Sequence, residues 1–376
     1  MQRIYFDNAA TTAIREEVLT AMLPFLRQQY GNPSSIHAEG RAARAALEKS
    51  RRNIARAIGA KPSELFFTSG GSEANNTAIK GAVAALGVKT IISTEIEHAC
   101  VRNSVGQMQS QGINCIDLPI DGFGRADLGQ LRALLAKTEG KVLVSLMHSN
   151  NELGTLNDIA VIAALCEEFG AYFHTDTVQT LGYYPIAVKE MAPIHFMSGS
   201  AHKLHGPKGV GFLYIRQGIQ IPALIAGGGQ ERQLRSGTEN VAGIVGFAKA
   251  VDLALAQMPE DRAHITGLKT YLIEQLQANF GERVSFNGDW QGQSHYKVLS
   301  VNFQTEVPTD MLLFKLDLAG ISASGGSACS SGALKGSRVL AALGLPDELR
   351  SLRLSFSYEN TKEEIDRCIA ALLKIV

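Results

Sequence analysis

Short β-branched runs alternate with longer stretches whose apolar residues recur at helical spacing through the first two thirds of the chain. The runs predict strands at Glu64–Thr68, Lys89–Ser93, Asn114–Leu118, Val142–His148, Tyr172–Asp176, His195–Gly199 and Val210–Ile215. Between them the helical period predicts helices over Gly40–Ile58, Ser72–Leu86, Ala99–Gln111, Leu128–Lys137 and Ile159–Phe169. Strand and helix in alternation imply an α/β domain with a mainly parallel sheet, and ligands of such sheets gather at the carboxyl ends of the strands.

The pattern changes after a long helix expected at Asn240–Gln257. Met258-Pro259-Glu260-Asp261 reads as a hinge. Beyond it the chain suggests a smaller α+β domain: a helix at His264–Asn279, strands near Val298–Phe303 and Leu352–Phe356, and a terminal helix from Lys362. The expected organisation is an N-terminal segment (1–14) packing with the small domain, a large domain (15–258) and the small domain (259–376).

Composition narrows the partners. The 376 residues carry 36 Lys and Arg against 36 Asp and Glu, so the net charge is zero and the pI is near 7.1. No basic run interleaved with aromatics breaks that balance, so neither nucleic acid nor an anionic membrane is expected to bind. Arg3, Asp7 and Asn8 stand where a signal peptide needs an apolar core. The most apolar stretch, Val241–Met258, is interrupted by Lys249 and Asp252, short of the roughly 18 apolar residues of a span. A cytoplasmic protein is expected. Five cysteines, odd in number and without a CxxC pair, fit a reduced compartment and argue against a structural zinc. Cys100, Cys115, Cys166 and Cys368 read as small buried apolar residues.

Several segments carry candidate chemistry. Phe66-Phe67-Thr68-Ser69-Gly70-Gly71-Ser72-Glu73 runs from a strand through small residues into a helix start, where free amides and the Ser72 hydroxyl suit a phosphate dianion. It is neither of the common glycine-rich nucleotide fingerprints, and alone it reads equally as a capped helix. Asp176 ends an apolar strand and is followed by Gln179; a carboxylate there would pair with a protonated pyridine nitrogen and keep the ring an electron sink, or simply cap a helix. Lys203 sits among small residues and two histidines, where desolvation lets an amine form a Schiff base, with Ser200 and His202 able to reach the same phosphate. Amine, carboxylate and phosphate cradle together suggest a pyridoxal 5′-phosphate site.

Glu97-His98 and His148-Ser149-Asn150-Asn151-Glu152 follow two further strands. There His98 could stack on the pyridine ring and move protons, and Asn151 could meet its phenolic oxygen. Ser322-Ala323-Ser324-Gly325-Gly326-Ser327-Ala328-Cys329-Ser330-Ser331-Gly332 has almost no bulk around its one thiol and reads as a loop presenting an exposed cysteine. Arg353, a charge inside Leu352-Arg353-Leu354-Ser355-Phe356, needs a carboxylate partner, which an amino acid substrate would supply.

These residues resemble the cysteine desulfurases, within the class V aminotransferase group of fold-type I pyridoxal-phosphate enzymes. The resemblance runs from Tyr5-Phe6-Asp7-Asn8-Ala9-Ala10-Thr11-Thr12 through Gly31-Asn32-Pro33-Ser34-Ser35 and Arg235-Ser236-Gly237-Thr238 to Asp366. The Lys203 segment together with Gly326-Ser327-Ala328-Cys329 is its specific part. The resemblance implies an α/β fold of type I, with a mainly parallel seven-stranded sheet in the large domain and a smaller α+β domain carrying the Cys329 loop. It implies that Lys203 holds the cofactor as a Schiff base, that Asp176 pairs with its pyridine nitrogen, and that Gln179 and Asn151 contact its phenolic oxygen. Gly71, Ser72, Ser200 and His202 would hold the phosphate, joined by Thr238 from a second subunit, so a homodimer is implied.

By the same resemblance Arg353, helped by Asn32, binds the substrate carboxylate, and His98 acts in proton transfer. Cys329 attacks the sulfur of L-cysteine to leave a persulfide and L-alanine. The persulfide would pass to an acceptor or iron–sulfur scaffold protein, and the sole metal contact left open is a transient iron–sulfur cluster on Cys329. Two departures bear on the acceptor: the chain closes at Val376 where some members carry a scaffold-docking tail, and Ser357-Tyr358-Glu359-Asn360 stands where Gly-Arg-Phe is usual. A lyase that eliminates sulfide or selenide without an enzyme thiol shares the cofactor residues. A carrier subunit with a decayed site does not fit intact Lys203, Asp176, Ser72 and Arg353.

Overall fold

The computed structural model describes residues 3–325, 337–346 and 349–376. In chain order the elements begin with β1 (Ile4–Tyr5), α1 (Glu16–Arg27), α2 (Ala38–Ala57), β2 (Leu65–Thr68), α3 (Gly71–Leu86), β3 (Val88–Ser93), α4 (Ala99–Ser110) and β4 (Asn114–Asp117). They continue with α5 (Leu128–Lys137), β5 (Lys141–Ser145), α6 (Ile159–Glu168), β6 (Tyr172–Asp176), β7 (Phe196–Ser200) and β8 (Gly211–Ile215). The remainder holds α7 (Val241–Phe280), β9 (Val284–Asn287), β10 (Val298–Gln304), α8 (Thr309–Leu318), β11 (Ile321–Ser322), α9 (Arg338–Ala342), β12 (Leu349–Ser355) and α10 (Lys362–Ile375).

Seven strands form one sheet in the order β2-β8-β7-β6-β5-β3-β4. β8 runs antiparallel to both of its neighbours and the rest are parallel. The central strands are covered on both faces, and β8 and β7 are buried at every position, whereas the edge strand β4 is exposed at both ends. β5 stops at Ser145, three residues before the predicted end. On its β6 side the bonding continues singly, Leu146 and His148 donating to the carbonyls of His174 and Asp176. The N–H of Met147 is instead taken by the Glu97 carboxylate at 2.7 Å. That swap ends the strand where the site begins.

The predicted hinge at Met258–Asp261 is absent: α7 is a continuous helix of 40 residues with Pro259 inside it. Pro259 lies on the exposed side, so the helix bond that its missing N–H forfeits leaves a carbonyl facing water. The apolar stripe continues past it, from Phe247 and Val251 to Ile265, Leu268 and Leu272, all buried in one core. Asp261 in the same turn is held by Arg15 at 2.7 Å. An 18-residue window of this helix has a mean hydropathy of 1.5, and α7 packs on α1 and α2.

A second, antiparallel sheet has the order β12-β10-β9. The N-terminal segment is stitched to this part of the chain. β1 pairs with β11, Asn8 Nδ2 donates to the Ser355 carbonyl, and Phe6 meets Phe356 edge to face. From there residues 9–12 cross over the carboxyl ends of β6 and β7, which places main-chain carbonyls above the site.

Candidate active site

The carboxyl ends of β5, β6 and β7, the start of α3 and the N-terminal segment enclose a cleft of about 270 Å³. Asp176, the last residue of β6, is buried on its floor. Its Oδ1 accepts from the N–H of Val178 at 2.9 Å and its Oδ2 from Asn75 Nδ2 at 2.6 Å. Among the described residues no lysine or arginine stands at ion-pair distance from it. A buried carboxylate held by neutral donors alone is built to receive a cation from the cleft.

Lys203 follows β7 through one turn of 3₁₀ helix. Its main chain is pinned: the Lys203 carbonyl accepts from Tyr183 Oη at 2.8 Å and from Lys297 Nζ at 3.2 Å. The Lys203 ammonium reaches up to the carbonyls of Ala9 and Ala10, at 2.7 and 2.6 Å. Lys297 is fully buried behind it, and burial, together with the charges of Lys203 and Arg353, holds its amine well below the usual lysine range. Gln179 also donates to the Ala9 carbonyl, while its Oε1 is buried without a hydrogen bond among the described residues.

The start of α3 has Gly70 as N-cap and no capping side chain, so first-turn amides are left for a ligand. A Cβ at Gly71 would stand 2.5 Å from Cγ2 of Val178, so only glycine lets this helix start approach the end of β6. Gly71, Ser72, Ser200 and His202 line this end of the cleft. The His202 imidazole is pulled down to about 4, by burial first and then by Lys203, Lys208 and Lys297. A dianion beside it would oppose that shift.

Arg353 on β12 is buried across from Lys203. The sequence reading reserves its partner for a substrate; the structure gives it one already, Asp7 at 2.7 Å, because the N-terminal segment lies against β12. Nη1 donates to the Asn151 carbonyl at 2.9 Å, and Nε is buried without an acceptor among the described residues. The Nε–H is therefore left over from those contacts, and Arg353 lines the cleft.

His98 and Asn151 both line the cleft. The His98 side chain caps α4, with Nδ1 accepting the N–H of Cys100 at 3.2 Å. The neighbouring Glu97 carboxyl is pushed up to about 8 by burial, against the lowering effect of its bond to Met147, and its Oε2 has no hydrogen bond among the described residues. Asn32 and Thr238 are not brought to this cleft. Asn32 is exposed and accepts from the N–H of Ser34, and Thr238 is exposed beside a separate hollow lined by Arg235 and Glu231. Cys329 lies outside the described residues.

Cys100 departs from expectation. It is partly exposed and lines the cleft, whereas Cys166 and Cys368 are buried as expected and Cys115 is partly exposed elsewhere. Asp7, Asn75, Glu97 and Cys100 were not identifiable from the chain as site residues. Asp7 and Glu97 stand inside or beside quoted motifs, and that adjacency is the one signal they offered.

The residues fit a pyridoxal 5′-phosphate molecule by three features. Asp176 is a buried carboxylate held by neutral donors, Gln179 Oε1 is buried without a partner among the described residues, and Gly71 lets the uncapped start of α3 approach the end of β6.

The class-V aminotransferase family profile matches residues 4–368. The cysteine desulfurase IscS of Dictyoglomus turgidum is 43% identical over 380 residues, covering 100% of this chain and 95% of that protein. The cysteine desulfurase IscS of Methanosarcina thermophila is 41% identical, covering 99% and 92%. Among solved structures, a NifS-like protein superposes with a TM-score of 0.92 at 36% identity, covering 100% of this chain and 99% of that one. SspA in complex with cysteine gives 0.82 at 33% identity, covering 95% and 100%.

Proposed function

This chain belongs to the class-V aminotransferase family and, within it, to the cysteine desulfurases. From that premise we propose that it takes the sulfur of L-cysteine with pyridoxal 5′-phosphate as cofactor, releases L-alanine and carries the sulfur as a persulfide on Cys329. The observation that carries the reading is the meeting in one cleft of Lys203, Asp176, the open start of α3 and a buried Arg353 whose Nε has no acceptor among the described residues.

In this reading the cofactor supplies an electron sink for the negative charge that develops at the substrate Cα. Lys203 would hold it covalently and then move the Cα proton. Asp176 would keep its ring nitrogen protonated, and Gln179 and Asn151 would meet its phenolic oxygen. Gly71, Ser72, Ser200 and His202 take the phosphate, with Thr238 of the partner subunit. Arg353, with Asn32, orients the substrate carboxylate. The Cys329 thiolate forms an S–S bond to the substrate sulfur as the Cβ–S bond breaks, its electron pair passing to Cβ, which takes a proton with His98 assisting. The product carbon skeleton is alanine, and the persulfide goes to an iron–sulfur scaffold or another sulfur acceptor. A reducing cytoplasm would keep the thiol available.

Two exposed residues support a homodimer. Asn32 and Thr238 face away from the cleft of their own chain, and Tyr30 and Ile36, which flank Asn32, are 80% and 90% exposed. With excess thiol reductant the holoenzyme is expected to form alanine and sulfide in equal amounts from L-cysteine. Pyruvate in place of alanine, or a pure protein that binds no pyridoxal phosphate, would overturn the proposal.

Arg353→Lys tests the substrate end. A lysine keeps the charge but loses the planar fork shared by Asp7, the Asn151 carbonyl and the incoming carboxylate. The KM for L-cysteine is expected to rise about 50-fold, the loss of one charge-assisted hydrogen bond pair. The cofactor absorbance should be unchanged. Initial rates across cysteine concentrations measure this.

A further inference from the structure

A directed chain of hydrogen bonds runs beneath the cleft, and its last member is a thiol for which the desulfurase reading has no use. Ser145 Oγ lies 2.8 Å from His174 Nδ1, and His174 Nε2 lies 3.0 Å from Asn75 Oδ1. His174 is fully buried and held down to about 4 by that burial, so its ring is neutral. The carbonyl oxygen of Asn75 only accepts, so Nε2 carries the His174 proton and Ser145 donates to Nδ1. The two N–H groups of Asn75 Nδ2 are then both used: one on Asp176 Oδ2 at 2.6 Å, the other on Cys100 Sγ at 3.2 Å.

Cys100 Sγ in turn stands 3.0 Å from His98 Nδ1. That nitrogen already accepts the main-chain N–H of Cys100, so it carries no proton. The thiol hydrogen is thus the donor in the S···N contact. Two donors from one residue converge on Nδ1 and leave the His98 proton on Nε2.

We propose that Cys100 is a positioning residue for His98: with the tautomer already set by the main-chain N–H of residue 100, its thiol, anchored by Asn75, fixes the imidazole ring plane against the cleft. The same Asn75 amide holds Asp176, so the carboxylate that would pair with the pyridine nitrogen and the imidazole that would move protons are set by one side chain. The inference rests on the desulfurase reading for what His98 does, and on this chain's own contacts for how His98 is held.

The test uses the holoenzyme with Cys100→Ala and Cys100→Ser. Alanine at position 100 removes the thiol donor while the main-chain N–H to Nδ1 remains, and is expected to lower kcat for alanine formation about tenfold, the size of a misoriented proton carrier. The KM for L-cysteine and the cofactor content should not change. Serine restores a donor to Nδ1 and an acceptor for Asn75, and should return kcat to within about threefold of the wild type. A second readout needs no turnover. In the cofactor-free protein, iodoacetamide should alkylate Cys100, as resolved by peptide mass spectrometry, and His98→Gln should slow that reaction about fivefold or more by removing the base bonded to the thiol. Wild-type kcat in Cys100→Ala, a serine variant no better than the alanine one, or alkylation indifferent to His98→Gln would each overturn the inference. A wild-type protein that forms no alanine would instead overturn the desulfurase reading, which separates the two failures.

Discussion

Lys203→Ala is expected to lower alanine formation by about 10⁴-fold, because it removes both the covalent hold on the cofactor and the group that moves the substrate proton, each worth about 10² or more. The fold should tolerate the change. The ammonium spans from the end of β7 to the carbonyls of Ala9 and Ala10, both at the wall of the cleft where water can replace it. The melting temperature is therefore expected to move by only a few degrees, about what 1 kcal/mol does in a domain of this size. The visible absorbance of the bound cofactor should move away from that of the wild type, since the linkage to the lysine amine is gone. Rate assays for alanine, a thermal melt and an absorbance spectrum on one preparation distinguish lost chemistry from lost structure. A variant that retains more than about a tenth of the activity would remove Lys203 from the chemistry.

Asp176→Asn is expected to have the next largest effect, a fall in kcat of about 10³-fold. The substitution keeps the size of the side chain and its acceptor for the Val178 N–H, but removes the charge that would hold a pyridine proton. It also turns an amide N–H₂ toward Asn75 Nδ2, which now donates to Asp176 at 2.6 Å. Two donors would face each other in a buried setting, and the network that runs on to Cys100 and His98 would be disturbed at its centre. Arg353 is on another strand with its own partners, so the KM for L-cysteine should change less than kcat. Steady-state rates on the cofactor-saturated variant give both quantities.

Much of this architecture is legible along the chain. From β2 to β6 the strands of the large sheet are short β-rich runs separated by helices with their own period, so their positions follow to within a few residues, and β6 at Tyr172–Asp176 matches residue for residue. Glycine clusters after β2 and the charged ends of β6 and β7 likewise mark themselves, because small residues and charges at strand ends have few other uses. What a chain does not display is which of its ends meet. The partner of Arg353 is Asp7, 346 residues away, and nothing local to either announces the pair. Asn75 and Cys100 sit in helices that read as ordinary amphipathic segments; they become part of the site only because α3 and α4 converge on the end of β6. Pro259 misleads in the opposite sense. Proline in a helical run signals a break, yet on the solvent side of α7 the lost bond faces water and the buried stripe carries the helix through.

The central claim, that the enzyme's own thiol receives the sulfur, is tested most directly by incubating the reduced holoenzyme with L-[³⁵S]cysteine, trapping thiols with an alkylating agent and locating the label by peptide mapping. The account predicts label on the peptide containing Cys329, alanine formed in step with it, and loss of both label and sustained turnover in Cys329→Ala. Undiminished turnover in Cys329→Ala, with no sulfur on the Cys329 peptide of the wild type, would contradict it and point to elimination without an enzyme thiol.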